Sequence, residues 1–144
     1  MKKIAVVYWS GSGNTEAMAN AAVEGAKNAG GEATLFRVDA FSAQSMKDYD
    51  GFLFGCPAMG AEVLEETEFE PFFREAETNL SGVPVGLFGS YGWGGGEWMR
   101  QWEARVKDDG ARLIGSGLAI ENAPDEKGLA ECAALGETLV KALA

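Results

Sequence analysis

Histidine is absent from all 144 residues, and that gap excludes more chemistry than any other. Without imidazole there is no Ser–His or Cys–His nucleophilic pair, no histidine metal ligand and no imidazole for acid–base work. Cysteine is scarce. Cys56 and Cys132 stand far apart, form no CxxC pair and sit among apolar neighbours. They read as small buried hydrophobes, not as a disulfide or a metal site. No stretch nears the roughly 20 apolar residues of a membrane span. Met1–Tyr8 faintly imitates a secretory signal but runs straight into a Ser/Gly loop without a cleavage-type segment. It reads as a strand, and the expected location is the cytoplasm. Basic residues are outnumbered, 12 Lys and Arg against 22 Asp and Glu, for a net charge of −10. Residues 41–110 hold five of the basic and thirteen of the acidic side chains. That surface repels nucleic acid and anionic lipid and attracts a basic protein partner, unless the acids serve only solubility.

What is present reads as one domain over residues 1–144, long enough for a single core. Five apolar runs of strand length, Ile4–Tyr8, Ala33–Val38, Phe52–Cys56, Val85–Gly89 and Leu113–Ile120, alternate with segments of helical or loop character. Most are apolar throughout, the pattern of parallel strands covered on both faces. Helical spacing of apolar residues predicts helices over Thr15–Asn28, Glu68–Thr78, Glu97–Asp108 and Glu126–Ala144, with a short turn near Ser42–Met46. The expected fold is a doubly wound α/β sheet of five parallel strands, order 2-1-3-4-5, with helices on both faces. In that order, ligands settle at the carboxyl ends beside the first strand.

Three unusual loops follow the first, third and fourth runs. Ser10-Gly11-Ser12-Gly13-Asn14-Thr15 offers hydroxyls, an amide and backbone N–H groups where a helix begins, a socket suited to phosphate. It contains no Lys or Arg, unlike a nucleotide-triphosphate loop, so a single phosphate ester held by neutral donors fits best. A plain turn is the competing reading of this loop alone. Cys56-Pro57-Ala58-Met59-Gly60-Ala61-Glu62 places a methionine in a loop, and Ser90-Tyr91-Gly92-Trp93-Gly94-Gly95-Gly96 surrounds an indole with glycines. An aromatic on such a loop covers something flat, against the alternatives of exposed packing for Trp93 and gap-filling for Met59. Trp98 and Trp102 have helical spacing and read as core. Pattern assigns no role to Trp9 or Tyr91.

The stretches Tyr8–Asn20, Gly55–Gly60 and Leu87–Gly94 resemble, in order and spacing, those of the short-chain flavodoxins of anaerobic bacteria. The resemblance covers essentially the whole chain. It implies FMN as cofactor and a low-potential one-electron carrier, not an enzyme, cycling between semiquinone and hydroquinone. An FMN-dependent quinone or flavin reductase on the same fold is the alternative. Partners would be redox proteins with basic docking surfaces, and the protein a monomer. Carried onto this chain, Ser10, Ser12, Asn14 and Thr15 would hold the phosphate, with Gly11 and Gly13 allowing backbone approach. Ser90 would add a hydroxyl. Met59, beside Ala58, would pack on the inner face of the ring and Trp93, beside Tyr91, on the outer. Glu62 would accept from the ring N–H, and the amides of Gly92 and Gly94 would serve the same end.

The resemblance also implies that the Gly60 carbonyl turns toward the ring on reduction. A type II turn over Met59–Glu62 would then demand φ > 0 at Ala61, where many relatives carry Asp, Asn or Gly, at a cost on the order of 1 kcal/mol. Glu62, Glu65, Glu66, Glu68 and Glu70 follow this loop. They would disfavour an anionic reduced flavin, with a solvated helix face as the alternative for Glu68 onward. A signalling receiver would need paired acids where Trp9-Ser10 stand, and a low-molecular-weight phosphatase a Cys and an Arg in the first loop.

Overall fold

The computed structural model describes residues 2–143. Its strands are β1 (Lys3–Tyr8), β2 (Glu32–Arg37), β3 (Gly51–Gly55), β4 (Pro84–Tyr91), β5 (Arg112–Leu113) and β6 (Leu118–Glu121). The α-helices are α1 (Asn14–Asn28), α2 (Phe69–Ala76), α3 (Glu97–Asp108) and α4 (Glu126–Leu143), with short 3₁₀ segments at Val38–Ala40, Ala43–Asp48 and Glu77–Asn79. All pairings are parallel, in the order β2-β1-β3-β4-β5. The expected topology holds.

The fifth run is the exception. It is two pieces, β5 and β6, both paired to β4. Gly115 turns the chain at φ 67°, and the Gly117 N–H leaves the ladder to donate to Glu103 Oε2 at 2.7 Å. A glycine-broken strand re-enters the sheet further along, as at a bulge. The helix predicted over Glu68–Thr78 stops at Ala76 and continues as a 3₁₀ turn. Helix α4 buries Cys132, Leu135, Leu139 and Val140, while Leu129, Ala133 and Leu143 are only half-buried. Ala144, assigned to that helix from sequence, lies outside the described residues.

Two cores flank the sheet. On one face α1 and α4 pack Met18, Ala22, Cys132 and Leu139 against Ile4, Val6, Leu53 and Phe88. The helices touch backbone to backbone: a Cβ on Gly136 would lie 2.1 Å from the Ala22 carbonyl oxygen. On the other face α2 and α3 bring Phe69, Phe73, Trp98 and Trp102 onto Val7, Phe54 and Leu87. Trp98 and Trp102 are core, as their spacing predicts. Both cysteines are free and fully buried, one in each core. Burial pushes both thiols up, Cys132 to about 12, so neither is a nucleophile at neutral pH.

Candidate functional site

The carboxyl ends of β1, β3 and β4 carry the three unusual loops, and hydrogen bonds tie them into one edge. The Trp9 N–H donates to the Gly55 carbonyl at 2.9 Å, and the Ala58 N–H to the Ser90 carbonyl at 3.0 Å. The hydroxyls of Thr15 and Ser90, 75 residues apart, meet at 3.0 Å, and the Ser90 N–H donates to Thr15 Oγ1 at 3.3 Å. Both side chains are buried, so this pair closes the floor beneath the first loop. Above it opens a crevice of about 340 Å³ lined by Trp9, Gly11, Ser12, Asn14, Pro57, Ala58, Met59, Ser90, Tyr91, Gly92 and Asn122. A larger groove, about 780 Å³, lies toward the amino ends of β3 and β4, with Met46, Tyr49 and Phe52 in its wall. The phosphate-type donor loop belongs to the smaller one, and the chemistry follows the donors.

Of the residues expected at the site, Gly11, Ser12, Asn14, Ala58, Met59, Ser90, Tyr91 and Gly92 line the crevice. Ser10, Gly13 and Thr15 shape the loop from behind it. The Gly13 N–H donates to Ser10 Oγ at 3.1 Å, and the Asn14 N–H reaches Ser12 Oγ at 3.5 Å. Gly13 itself caps α1 in a left-handed conformation, with no side-chain cap on the helix. An anion at this end would therefore meet backbone donors and the helix dipole, with no competing carboxylate cap. Met59 is 37% exposed and Trp93 64% exposed, so neither is held in the core.

Residues Gly60, Ala61 and Glu62 form the tip of a hairpin closed by Met59 and Val63. The N–H of Met59 donates to the Val63 carbonyl at 2.8 Å, and the reverse bond is 3.0 Å. Positive φ falls on Gly60 (49°) and Glu62 (57°), not on Ala61. The strain expected at Ala61 belongs to the turned, reduced state; in this conformation the left-handed residue with a Cβ is Glu62. Glu62 lines a groove beside the crevice, with Trp98, Gln101 and Arg105. Its Oε1 accepts from the Glu97 N–H at 3.1 Å, the first amide of α3. A Cβ on Gly94 would come within 2.6 Å of the same carboxylate. Glu62 thus joins the second loop to the third.

Most of the following acids are engaged locally. Glu65 is buried and accepts from the amides of Thr67, Glu68 and Phe69 at 2.8, 2.7 and 2.9 Å, and from the Thr67 hydroxyl. Burial alone would raise its carboxyl, but these donors hold it below the usual range. Glu70 takes Arg105 at 2.8 Å and Arg74 at 3.3 Å. Glu68 accepts from Trp9 and Arg37. Of the five, only Glu66 is exposed. Neither expectation for this run, a field on the cofactor or a solvated face, covers these bonded roles.

Asn122 was missed by sequence reasoning. It ends β6 at φ 60°, its N–H donates to the Tyr91 carbonyl at 2.8 Å, and it lines the crevice. The signal was available: an Asn closing the fifth strand must reach the same carboxyl edge as the other loops.

Fold and site together define a doubly wound α/β protein with a cation-free donor loop beside an aromatic-walled crevice at its topological switch point. The Flavodoxin family model matches residues 6–136. A flavodoxin of Megasphaera elsdenii is 48% identical over 142 residues, covering 96% of this chain and 99% of the relative. One of Clostridium beijerinckii is 46% identical, covering 84% and 88%. The solution structure of two-electron reduced Megasphaera elsdenii flavodoxin superposes with a TM-score of 0.87, covering 96% of this chain and 98% of that one. The chain belongs to the flavodoxin family. Its cofactor is FMN, and it is an electron carrier, not an enzyme. The reductase alternative finds no support among these relatives.

The donor set fits that cofactor. The loop has hydroxyls and amides without a cation, α1 starts without a side-chain cap, and the slot beside it is walled by Trp9, Met59 and Tyr91.

Proposed function

We propose that this chain is a low-potential carrier whose FMN phosphate rests on Ser10–Thr15 and whose ring lies between Met59 and Trp93. The observation that carries this reading is the hydrogen-bonded meeting of three distant loops at one edge, above the Thr15–Ser90 floor. Bound there, FMN supplies the redox chemistry by accepting and releasing single electrons.

The protein's part is position and electrostatics. Ser10, Ser12 and Asn14 present neutral donors, so the phosphate keeps its charge and adds to the field that disfavours further reduction. Gly11 and Gly13 keep side chains out of the cradle. Ser90, Tyr91 and Asn122 line the crevice and would offer polar partners to ribityl hydroxyls and the ring edge. The Glu97 amide engages Glu62 Oε1, which leaves Oε2 to accept from the ring N–H. Gly92 and Gly94 offer backbone amides to the same end. The exposed Met59 and Trp93 exclude water from the ring while staying at the molecular surface, where electrons must cross.

The net charge of −10 suits redox partners with basic docking surfaces. Among the described residues no helix is long and apolar enough to cross a membrane. Two free buried thiols suit a reducing compartment such as the cytoplasm. A monomer is expected on size-exclusion chromatography.

Titrating apoprotein with FMN and with riboflavin tests the reading. FMN should bind in a one-to-one complex and far more tightly than riboflavin. Equal affinity for the two would overturn the phosphate assignment. Rapid NADPH oxidation by the holoprotein alone would overturn the carrier assignment.

A further inference from the structure

Sequence pattern gives Trp9 no role, and Glu68 belongs to the acidic run that follows the second loop. The fold brings them together: the Trp9 indole N–H donates to Glu68 Oε1 at 2.9 Å, across 59 residues of sequence. The same oxygen accepts from Arg37 Nη2 at 3.3 Å. Arg37 also lies 3.6 Å from Asp39 and holds its guanidinium carbon 5.9 Å from the centroid of the Trp9 ring. At its other edge the indole abuts the first loop, where a Cβ on Gly11 would lie 3.0 Å from its Cη2 atom. Trp9 therefore stands between a fixed carboxylate and the backbone of the phosphate loop.

We infer that Glu68 is a positioning residue for the phosphate loop, acting through the Trp9 indole. This rests on the assignment of the FMN phosphate to Ser10–Thr15. The physical reason lies in what that loop lacks. A lysine attracts phosphate from many geometries, but neutral hydroxyls and amides bind only when distances and angles are right. A cradle without a cation depends on being pre-formed. Among the described residues the hydroxyls of Ser10 and Ser12 bond only within the loop, so its outer half needs an external support. The Trp9 ring is that support. A half-buried indole stays in one orientation only while its N–H has a partner. Glu68 supplies the acceptor, and the Arg37 bridge keeps its carboxylate in place.

Four apoproteins test this: wild type, Glu68→Leu, Glu68→Gln and Trp9→Phe, each titrated with FMN and with riboflavin at one pH and ionic strength. Glu68→Gln retains a carbonyl acceptor for the indole, so it should bind FMN nearly as wild type does. Glu68→Leu and Trp9→Phe should each weaken FMN by about ten-fold, the size of one lost hydrogen bond to a charged acceptor. Riboflavin, which has no phosphate, should bind wild type, Glu68→Leu and Glu68→Gln alike, whereas Trp9→Phe, which also alters the wall of the slot, is compared for FMN only. Unchanged FMN affinity in Glu68→Leu overturns the inference, as does tighter binding through a released Arg37. Equal losses for both ligands overturn it too, by assigning Glu68 to the whole site. A Glu68→Gln loss matching that of Glu68→Leu would make charge, not the acceptor, the cause, and overturns it as well. Wild type that fails to prefer FMN removes the phosphate assignment itself. Should Glu68→Leu not fold, Glu68→Ala takes its place in the same comparison of FMN with riboflavin.

Discussion

Glu62 combines two opposing terms that substitution can separate. Its backbone sits at φ 57°, which costs a residue with a Cβ on the order of 1 kcal/mol. Its Oε1 meets the first amide of α3 at 3.1 Å, an acceptor at a helix N-terminus that contributes about 1 kcal/mol. Glu62→Gln keeps the acceptor and the strain, so its stability should match wild type. Glu62→Ala loses the acceptor and keeps the strain, so it should fall by about 1 kcal/mol, or roughly 2–4 °C in Tm for a chain of this size. Glu62→Gly loses the acceptor but is at ease in the left-handed region, so it should recover most of that loss. Urea unfolding of the three apoproteins gives the order directly. FMN affinity separates the structural role from the proposed ligand role: Glu62→Gly should regain stability but bind FMN about ten-fold more weakly, for want of the carboxylate. The reasoning is refuted if Glu62→Gly is no more stable than Glu62→Ala, or if Glu62→Gln drops to the level of Glu62→Ala.

Three further outcomes are expected. Burial, together with the neighbouring Glu77 carboxylate, raises Asp109 to about 6, and its Oδ2 is buried without a donor. A group raised in the fold adds stability below its ordinary range near 3.8 and loses it as pH rises through 6. Asp109→Asn should thus stabilise by on the order of 1 kcal/mol at pH 7 and not at pH 4, whereas a pH-independent difference in urea midpoints would contradict this. Gly136→Ala forces a methyl to 2.1 Å from the Ala22 carbonyl, so thermal unfolding should show a loss of about 1–3 kcal/mol; an unchanged Tm would mean that α1 and α4 separate freely. Ala61 is not left-handed in this conformation, so the test of a turning peptide is electrochemical. If reduction drives Ala61 to positive φ, Ala61→Gly should raise the first one-electron potential of the holoprotein by about 40 mV, and an unmoved potential rules that turn out.

The alternation of apolar runs with amphipathic segments was enough to give the topology, because parallel strands buried on both faces leave an unbroken hydrophobic signature. The three loops were legible for a related reason. Their glycines, hydroxyls and exposed Met59 and Trp93 have no use in a core, and topology sends the ends of β1, β3 and β4 to one edge. Absences were equally informative, since a loop without lysine and a chain without histidine exclude chemistries whatever the fold. Tertiary structure alone decided how the acids are used. Glu65 caps a helix, Glu68 holds an indole 59 residues away, Glu70 pairs with Arg105, and Glu62 bridges two loops at a strained φ. Composition counts such charges but cannot pair them, because their partners lie across turns whose geometry is set by packing. The split of the fifth strand and the arrival of Asn122 were hidden likewise: a glycine announces freedom to turn, and only the neighbours of Gly117 determine that the chain leaves the ladder and returns.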